Sequence, residues 1–188
     1  MERERHMDMR VMKTRRAIQN TFKEMICTLD ADKITIKELT ERAEIHRKTF
    51  YLHYTSLEAL YEDMLRLIMQ DYLKAIVEPS ELNDIAENTK RGFTYLAAQE
   101  EYVERLICHP SYRDFCNKLF AAVEQHNRNR YNPFSDISPE KQRLITTFMV
   151  TTALDFYRQW VSDMKKVPVD EASELLCRLT CNGIYGIL

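Results

Sequence analysis

ITIKELTERAEIHRKTFYLHY, residues 34–54, is the stretch of the 188-residue sequence that decides its fold. Thr35 followed by Glu38 is a capping-box pattern, in which the hydroxyl accepts a backbone N–H and the carboxylate reaches back toward the cap. The pattern predicts the start of a short helix. The residues of this helix that face inward by helical spacing are Ile36, Leu39 and Ala43.

A turn over residues 44–46 and a second short helix over residues 47–54 follow. Phe50 and Tyr54 stand four residues apart, so they share one helix face and are available to a core. The opposite face interleaves cations, hydroxyls and an aromatic ring, which suits contact with phosphates and base edges. The residues left for that face are His46, Arg47, Lys48, Thr49 and Tyr51.

Longer amphipathic helices are predicted on both sides of this pair. The first begins near Lys13, and its apolar stripe consists of Ile18, Phe22, Met25, Ile26 and Leu29. The second, over residues 56–77, has a stripe of Leu57, Leu60, Tyr61, Met64, Ile68 and Tyr72. Two short helices after a longer supporting helix have the organisation of a DNA-binding helix-turn-helix.

Charge supports the same interpretation. Residues 1–55 carry 12 Lys and Arg against 9 Asp and Glu, whereas the chain as a whole has a net charge of -2. The basic part of the chain is therefore the part that contains the helix pair. Lys13, Arg15 and Arg16 either add contacts to a DNA backbone or form an ordinary solvated helix start.

Residues 34–54 resemble the signature of the TetR family of bacterial transcription regulators, and the match extends over roughly residues 12–62. The resemblance implies an all-helical homodimer that binds double-stranded DNA through three N-terminal helices and often binds an inducer in a divergent C-terminal bundle. It also implies a palindromic operator with half-sites about one helical turn, ~34 Å, apart. The DNA-contacting residues that we predict are Thr35, Lys37, His46, Arg47, Lys48, Thr49, Tyr51 and His53.

Three positions depart from the family pattern. Glu44 stands where the family usually has a glycine in the turn, and a left-handed conformation there would cost about 1 kcal/mol. Leu57 replaces a lysine at the start of the fourth helix, which removes one phosphate contact. Residues 30–32, Asp-Ala-Asp, add negative charge between the first two helices. If these changes abolish DNA binding, the N-terminal helices of residues 1–55 have only a structural role.

Composition argues against other functional classes. The chain has only three glycines, which leaves little material for phosphate-binding loops, and it has no pattern typical of a hydrolase, a metalloenzyme or a dinucleotide-binding enzyme. We therefore expect no enzymatic activity, no cofactor and no metal site. No apolar run approaches the ~18 residues that span a membrane, so we expect a soluble cytoplasmic protein without a membrane partner. Five cysteines without a C-x-x-C pair are read as reduced thiols.

The prolines, all after residue 78, divide the rest of the chain into helices. Ser138 and Pro139 form a helix start, Asp170 is a candidate cap for the last helix, and residues 127–138 are the clearest loop. We expect an all-α protein of about nine helices. Its predicted parts are a helix-turn-helix domain (residues 1–55), a connecting helix (56–77) and a C-terminal dimerisation and effector domain (78–188).

Residues 144–164 are apolar on most sides of a helix, so that helix must be covered on most sides. We place a dimer interface on this helix and on the last one, around residues 171–185. The family resemblance likewise implies that the last two helices pair with their symmetry mates in a four-helix bundle. The interface residues that we predict are Phe148, Thr151, Leu154, Tyr157, Leu175, Leu179 and Asn182.

An effector pocket is a weaker prediction, because aromatic residues at helical spacing are more often plain core. Asp155, alone in an apolar run, would need a partner if buried, and Arg158 is favoured over a polar ligand. The predicted pocket residues are Phe93, Tyr102, Phe115, Phe120, Asp155, Phe156 and Trp160. The function predicted is a ligand-responsive repressor. The alternative is a DNA-bound regulator or activator that responds to a partner protein and has no small-molecule pocket.

Overall fold

The computed structural model describes residues 2–76, 85–118, 120, 121 and 137–183, and side chains among them from residue 9 to 75 and from 85 onward. These residues are helical, without a strand, as the composition predicts. The helices are α1 (Glu2–Thr28), α2 (Ile36–Arg42), α3 (Arg47–Tyr51), α4 (Leu57–Ile76), α5 (Ile85–Ala97), α6 (Glu101–Cys108), α7 (113–118, continuing at 120–121), α8 (Pro139–Ser162) and α9 (Val169–Asn182). The expected all-α fold of about nine helices is confirmed.

The first helix follows its predicted apolar stripe but is longer than expected. Ile18, Phe22, Met25 and Ile26 are fully buried, and Leu29 packs against the same core. The predicted start near Lys13 is wrong, because α1 begins at Glu2. Residues before the stripe have no apolar periodicity that pattern reading could detect, yet they continue the helix.

The short helices α2 and α3 form where the sequence places them. Thr35 caps α2, and its hydroxyl accepts a hydrogen bond from the Glu38 N–H at 3.2 Å. The Glu38 carboxylate does not complete the predicted box. It pairs instead with Arg42, one turn on, at 2.6 Å. The predicted end of α3 is three residues too late, because the helix stops at Tyr51 and a turn carries the chain to Tyr54.

A buried carboxylate joins α1, the end of the α3 turn and α4. Asp63 Oδ2 accepts hydrogen bonds from the Tyr54 hydroxyl at 2.7 Å and from Gln19 Nε2 at 2.9 Å. Asp63 Oδ1 pairs with Arg15 at 2.7 Å and with Arg66 at 2.6 Å. Burial alone would raise the pKa of Asp63, but these hydrogen bonds outweigh it and hold the pKa well below its ordinary range.

The far end of α1 is held by α6 and by the short 3-10 helix Pro110–Tyr112 that follows it. The Tyr112 hydroxyl donates to the Leu29 carbonyl at 2.8 Å, and Lys23 pairs with Glu100 at 3.0 Å. His109 caps this 3-10 helix by accepting a hydrogen bond from the Ser111 N–H. The N-terminal helices are therefore fastened to the rest of the chain at two places along α1.

The C-terminal helices close around an aromatic cluster. Phe93 of α5 lies 5.2 Å from the Trp160 ring and 6.0 Å from the Tyr157 ring, both on α8. The Tyr157 hydroxyl donates to the Leu96 carbonyl at 3.1 Å, and the Trp160 indole donates to the Val167 carbonyl at 2.7 Å. Each polar group of these buried rings therefore has a partner.

Two predicted helix starts have different outcomes. Ser138 and Pro139 begin α8 as predicted. The predicted cap at Asp170 is wrong, because Pro168 holds the cap position and Asp170 lies in the first turn of α9. An acidic residue in the first turn still stabilises the helix, since it faces the positive end of the helix dipole. The predicted loop over 127–138 lies outside the described residues except at its last two positions.

Asp63→Asn should lower the free energy of unfolding by about 2 kcal/mol, because Arg15, Arg66 and Tyr54 lose their anionic acceptor while both arginines stay partly solvated. The lowered pKa of Asp63 fixes the sign of the pH effect. Its contribution is complete above the unfolded-state pKa of about 3.9 and is lost as the pH falls toward the folded-state value. Urea unfolding at several pH values measures both effects.

Glu62→Gln is the matched control, since Glu62 is exposed one residue away. Its cost should stay within about 0.5 kcal/mol. Equal unfolding energies for the two variants at neutral pH, or a penalty of Asp63→Asn that does not shrink in acid, would contradict the importance of the Asp63 carboxylate.

Candidate nucleic-acid interface

One face of α3 is anchored in the core and the other is open. Phe50 is fully buried, whereas His46, Arg47, Lys48 and Tyr51 are exposed. No described side chain pairs with Arg47 or Lys48. A short helix with a buried aromatic anchor and unpaired cations on its outer face can enter a groove without first breaking contacts.

The other four predicted DNA contacts lie on α3 or close to it in the sequence. Thr35 and Lys37 are exposed at the start of α2, and Thr49 and His53 are half-buried beside the open face. Burial, with a smaller effect of Arg15, lowers the pKa of His53 below its ordinary 6.5. The shift favours the neutral imidazole, whose ring N–H can donate a hydrogen bond to a phosphate.

The turn between α2 and α3 has the strain that the sequence suggests. Glu44 has φ of 54°, in the left-handed region that favours glycine. The Ile45 N–H bonds to the Thr40 carbonyl at 3.0 Å and the Glu44 N–H to the Glu41 carbonyl at 3.3 Å, which is the hydrogen-bond pattern of a Schellman helix end. The backbone of this turn therefore has the geometry of a glycine-containing turn, although the residue in the left-handed conformation is the exposed Glu44.

The other two departures also have a structural place. Leu57, where a lysine was expected, is half-buried and packs against the core. An apolar side chain in contact with the core therefore stands where a lysine would place a charge in solvent. Asp30 lies 3.5 Å from both Arg105 of α6 and His109, and Asp32 pairs with Lys33 at 3.2 Å. Cations next to these carboxylates therefore offset part of their negative charge.

The sequence does not reveal the residues that hold the turn after α3 against α1 and α4. The sequence predicts for Arg15 either a contact with a DNA backbone or a place in an ordinary solvated helix start, and no pattern singles out Gln19, Asp63 or Arg66. A signal was present at Asp63, which is an acidic residue within a predicted apolar stripe of α4. Its partners could not be read from the sequence, because the closest in α1 is 44 residues away.

The predicted dimer residues fall into two groups. Phe148, Thr151, Leu175 and Asn182 are exposed on α8 and α9, with Leu179 half-buried between them. Tyr157 is 0% exposed and Leu154 is 8% exposed. Including Tyr157 in the interface was therefore wrong, because its side chain reaches only the interior of its own chain, and Leu154 is likewise mostly covered there. Apolar residues occur on all sides of α8, so the pattern could not tell the two faces apart.

The six aromatic residues predicted to line a pocket belong to one hydrophobic core or pack against it, but their contacts fall in different parts of that core. The Phe93 ring contacts the Phe156 and Trp160 rings, whereas the Tyr102 ring lies 4.5 Å from Lys23 Nζ and the Phe115 ring 4.9 Å from Tyr61. Phe120 is half-buried against the core. The Asp155 side chain is 74% exposed, and the pair with Arg158 that was favoured over a polar ligand is present at 2.8 Å.

The cysteines are free thiols. Burial raises the pKa of Cys108 to about 11 and raises the pKa of Cys116 as well, which keeps both protonated and unreactive at neutral pH. No helix among the described residues is long and apolar enough to cross a membrane. The described His, Cys, Asp and Glu side chains contain no group of three or more placed to hold a metal ion.

Similarity to solved structures covers nearly the whole chain. A TetR transcriptional regulator from Streptococcus agalactiae 2603V superimposes with a TM-score of 0.69 over 94% of this chain and 98% of the other, at 19% identity. NalD, the secondary repressor of the MexAB-OprM multidrug efflux pump in Pseudomonas aeruginosa, gives a TM-score of 0.68 over 92% and 96%, at 16% identity. The chain has the TetR-family fold.

Sequence similarity to a curated protein covers less than half of the chain. An HTH-type transcriptional regulator, YxbF of Bacillus subtilis strain 168, is 31% identical over 86 residues, which are 45% of this chain and 23% of YxbF. The chain thus matches about a quarter of the length of this relative. No family model matches the sequence. The predicted resemblance to the TetR family is confirmed.

Strain in the TetR-like turn can be tested at Glu44. Glu44→Gly should be more stable than Glu44→Gln by up to about 1 kcal/mol, because only the glycine relieves the left-handed backbone. Both variants remove the carboxylate, so the difference between their free energies of unfolding isolates the cost of the left-handed backbone at this residue. Thermal and urea unfolding of the two variants provide the measurement. Equal stability would show that the turn carries no such strain.

Proposed function

We propose that this chain is a DNA-binding transcription regulator that reads the major groove with α3. One observation carries the proposal. On the same short helix Phe50 is fully buried, whereas Arg47 and Lys48 are exposed and have no partner among the described side chains. Residues 1–55 then form the DNA-binding domain, α4 connects it, and residues 78–188 form the dimerisation and effector domain. A regulator of this kind works in the cytoplasm, beside the chromosome.

The chain acts as a homodimer in this proposal. The exposed apolar side chains that support the interface are Leu144 (73% exposed) and Phe148 (57%) on α8 and Leu175 (37%) on α9. Side chains of this size are costly to leave in water on adjacent helices and are typical of an interface core. Two copies related by a two-fold axis present two α3 helices, so the operator is palindromic.

We further propose that the chain represses its target and responds to a small-molecule effector. NalD, which has a similar fold, is a repressor. The alternative, a regulator or activator that answers to a partner protein, is favoured by one observation. Phe93 of α5 is in ring contact with Phe156 and with Trp160 of α8, so these predicted pocket residues pack on one another. Transcription of an operator-fused reporter, with and without the chain, distinguishes repression from activation.

Arg47→Ala should weaken binding to an operator selected from random-sequence duplexes by about 5- to 150-fold, the loss expected for a base or phosphate contact of 1–3 kcal/mol. Arg47 is exposed, so folding and dimerisation should not change. Fluorescence anisotropy at fixed salt gives the affinity. Lys166→Ala, which removes an exposed cation of the α8–α9 connection, is the control.

Failure of the unaltered chain to select any duplex would refute the proposed function. Equal loss of affinity in Arg47→Ala and Lys166→Ala would show that only overall charge matters, and α3 would lose its assigned role.

Phe148→Asp should convert the dimer to a monomer at micromolar concentration, with a dimer dissociation constant raised more than about 100-fold, because each interface would bury an unpaired charge. Asn117→Asp adds the same charge at an exposed position of α7 and should leave the dimer intact. Sedimentation velocity measures the assembly. A dimer of undiminished affinity in Phe148→Asp would place the interface elsewhere.

A further inference from the structure

Two cysteines lie one turn apart on α9. Cys177 is 6% exposed, whereas Cys181, four residues later, is open to solvent. Residues at i and i+4 are neighbours on the surface of a helix. Burial raises the pKa of the Cys177 thiol, and the Cys181 thiol raises it further, which places the two sulfur atoms in each other's field. One thiol of the pair is thus shielded from water and the other can be reached from it.

The thiol pair faces away from the proposed dimer interface. Cys177 comes two residues after Leu175, and Cys181 comes two residues after Leu179. Two residues turn an α-helix through about 200°, so the thiols project from nearly the opposite side of α9. A second protomer that packs on Leu175 and Leu179 would therefore leave the Cys181 thiol accessible.

A cation of α5 stands beside the pair. Lys90 forms an ion pair with Glu174, which precedes Cys177 by three residues on α9. The Lys90 ammonium group acts against burial and favours the thiolate form of Cys177. Glu174 is engaged by Lys90, and among the described residues no group of three or more His, Cys, Asp and Glu side chains is placed to hold a metal ion. The pair therefore offers two sulfur ligands and a nearby positive charge.

Helix geometry decides which partner two such thiols can take. A disulfide needs Cβ atoms about 3.5–4.5 Å apart, whereas residues i and i+4 hold them about 5–6 Å apart. Structural zinc takes four ligands, twice what the pair supplies. Monovalent copper prefers thiolates and accepts two of them on opposite sides. With metal–sulfur bonds of about 2.3 Å, those sulfur atoms are about 4.6 Å apart, which matches this Cβ spacing.

We infer that Cys177 and Cys181 bind one monovalent copper ion, Cu(I), between their sulfur atoms. The ion replaces the two thiol protons, which pass to solvent, and no oxidation state changes. The bound site carries one negative charge, which the Lys90 ammonium group offsets. The i, i+4 spacing differs from the motif spacings on which the expectation of no metal site rests. The inference goes beyond the proposed function and does not depend on it, because both ligands lie on α9.

The test compares variants of the full chain that lose different thiols. Cys181→Ser removes the exposed ligand, and Cys177→Ser/Cys181→Ser removes both. Cys27→Ser/Cys108→Ser is the matched control, since it removes two half-buried thiols on other helices. Each reduced protein is titrated without oxygen against Cu(I) held by a coloured chelator, which gives affinity and stoichiometry. X-ray absorption at the copper edge counts the sulfur neighbours.

The unaltered chain and the control variant should bind one Cu(I) per chain, with two sulfur neighbours. Cys181→Ser should bind it more than about 100-fold more weakly, because even a change behind a metal ligand costs about 10- to 100-fold in affinity. Its unfolding midpoint should not change, since Cys181 is exposed. The variant without either ligand should take no copper from the chelator. An equal concentration of Zn(II) should not displace the copper, because zinc needs more ligands.

An affinity of Cys181→Ser within about tenfold of that of the unaltered chain would overturn the inference. A loss of the same size in the control variant would also do so. Copper with three or four sulfur neighbours, one ion per two chains, or displacement by Zn(II) would each contradict a two-thiolate site within one chain. These results leave the proposed function standing, whereas failure of the chain to select a duplex refutes that function and leaves the copper site untouched.

Discussion

The carboxylate of Asp63 is the interaction on which the N-terminal half of the molecule depends. It is 8% exposed and is shared by Tyr54, Gln19, Arg15 and Arg66. A buried charge is tolerated only when it is paired and fully hydrogen-bonded, and here both oxygens are satisfied. Because α3 has only five residues, it cannot hold its own orientation, and the Asp63 network fixes the turn that follows it.

Phe50 and the Asp63 network act on α3 in different ways. Apolar burial of Phe50 fixes which face of α3 points inward but is non-directional, so it tolerates some rotation. Hydrogen bonds to Asp63 are directional and fix the angle at which the chain leaves the helix. Among the described side chains, Arg47 and Lys48 then have no partner, which is what a surface needs if it is to meet a phosphate backbone without first losing contacts.

Local patterns predicted the N-terminal helices well, because their signals are short-range. Thr35 and the apolar stripe from Ile18 to Leu29 each report on residues within a few turns. The Asp63 network joins residues from 15 to 66, so no local pattern contains it. Tyr157 shows a second limit: on a helix with apolar residues on all sides, the sequence does not tell which of them cover the chain's own core and which are left for a partner.

Helix α1 contacts both the turn after α3 and the 3-10 helix after α6. Near its start, Arg15 holds Asp63 and Tyr54, and at its end the Leu29 carbonyl accepts the Tyr112 hydroxyl. One continuous helix therefore carries both sets of contacts, from Arg15 to the turn after α3 and to α4, and from Leu29 to the 3-10 helix after α6. Because hydrogen bonds are directional, these contacts set the position of α1 against both neighbours more narrowly than apolar packing alone would.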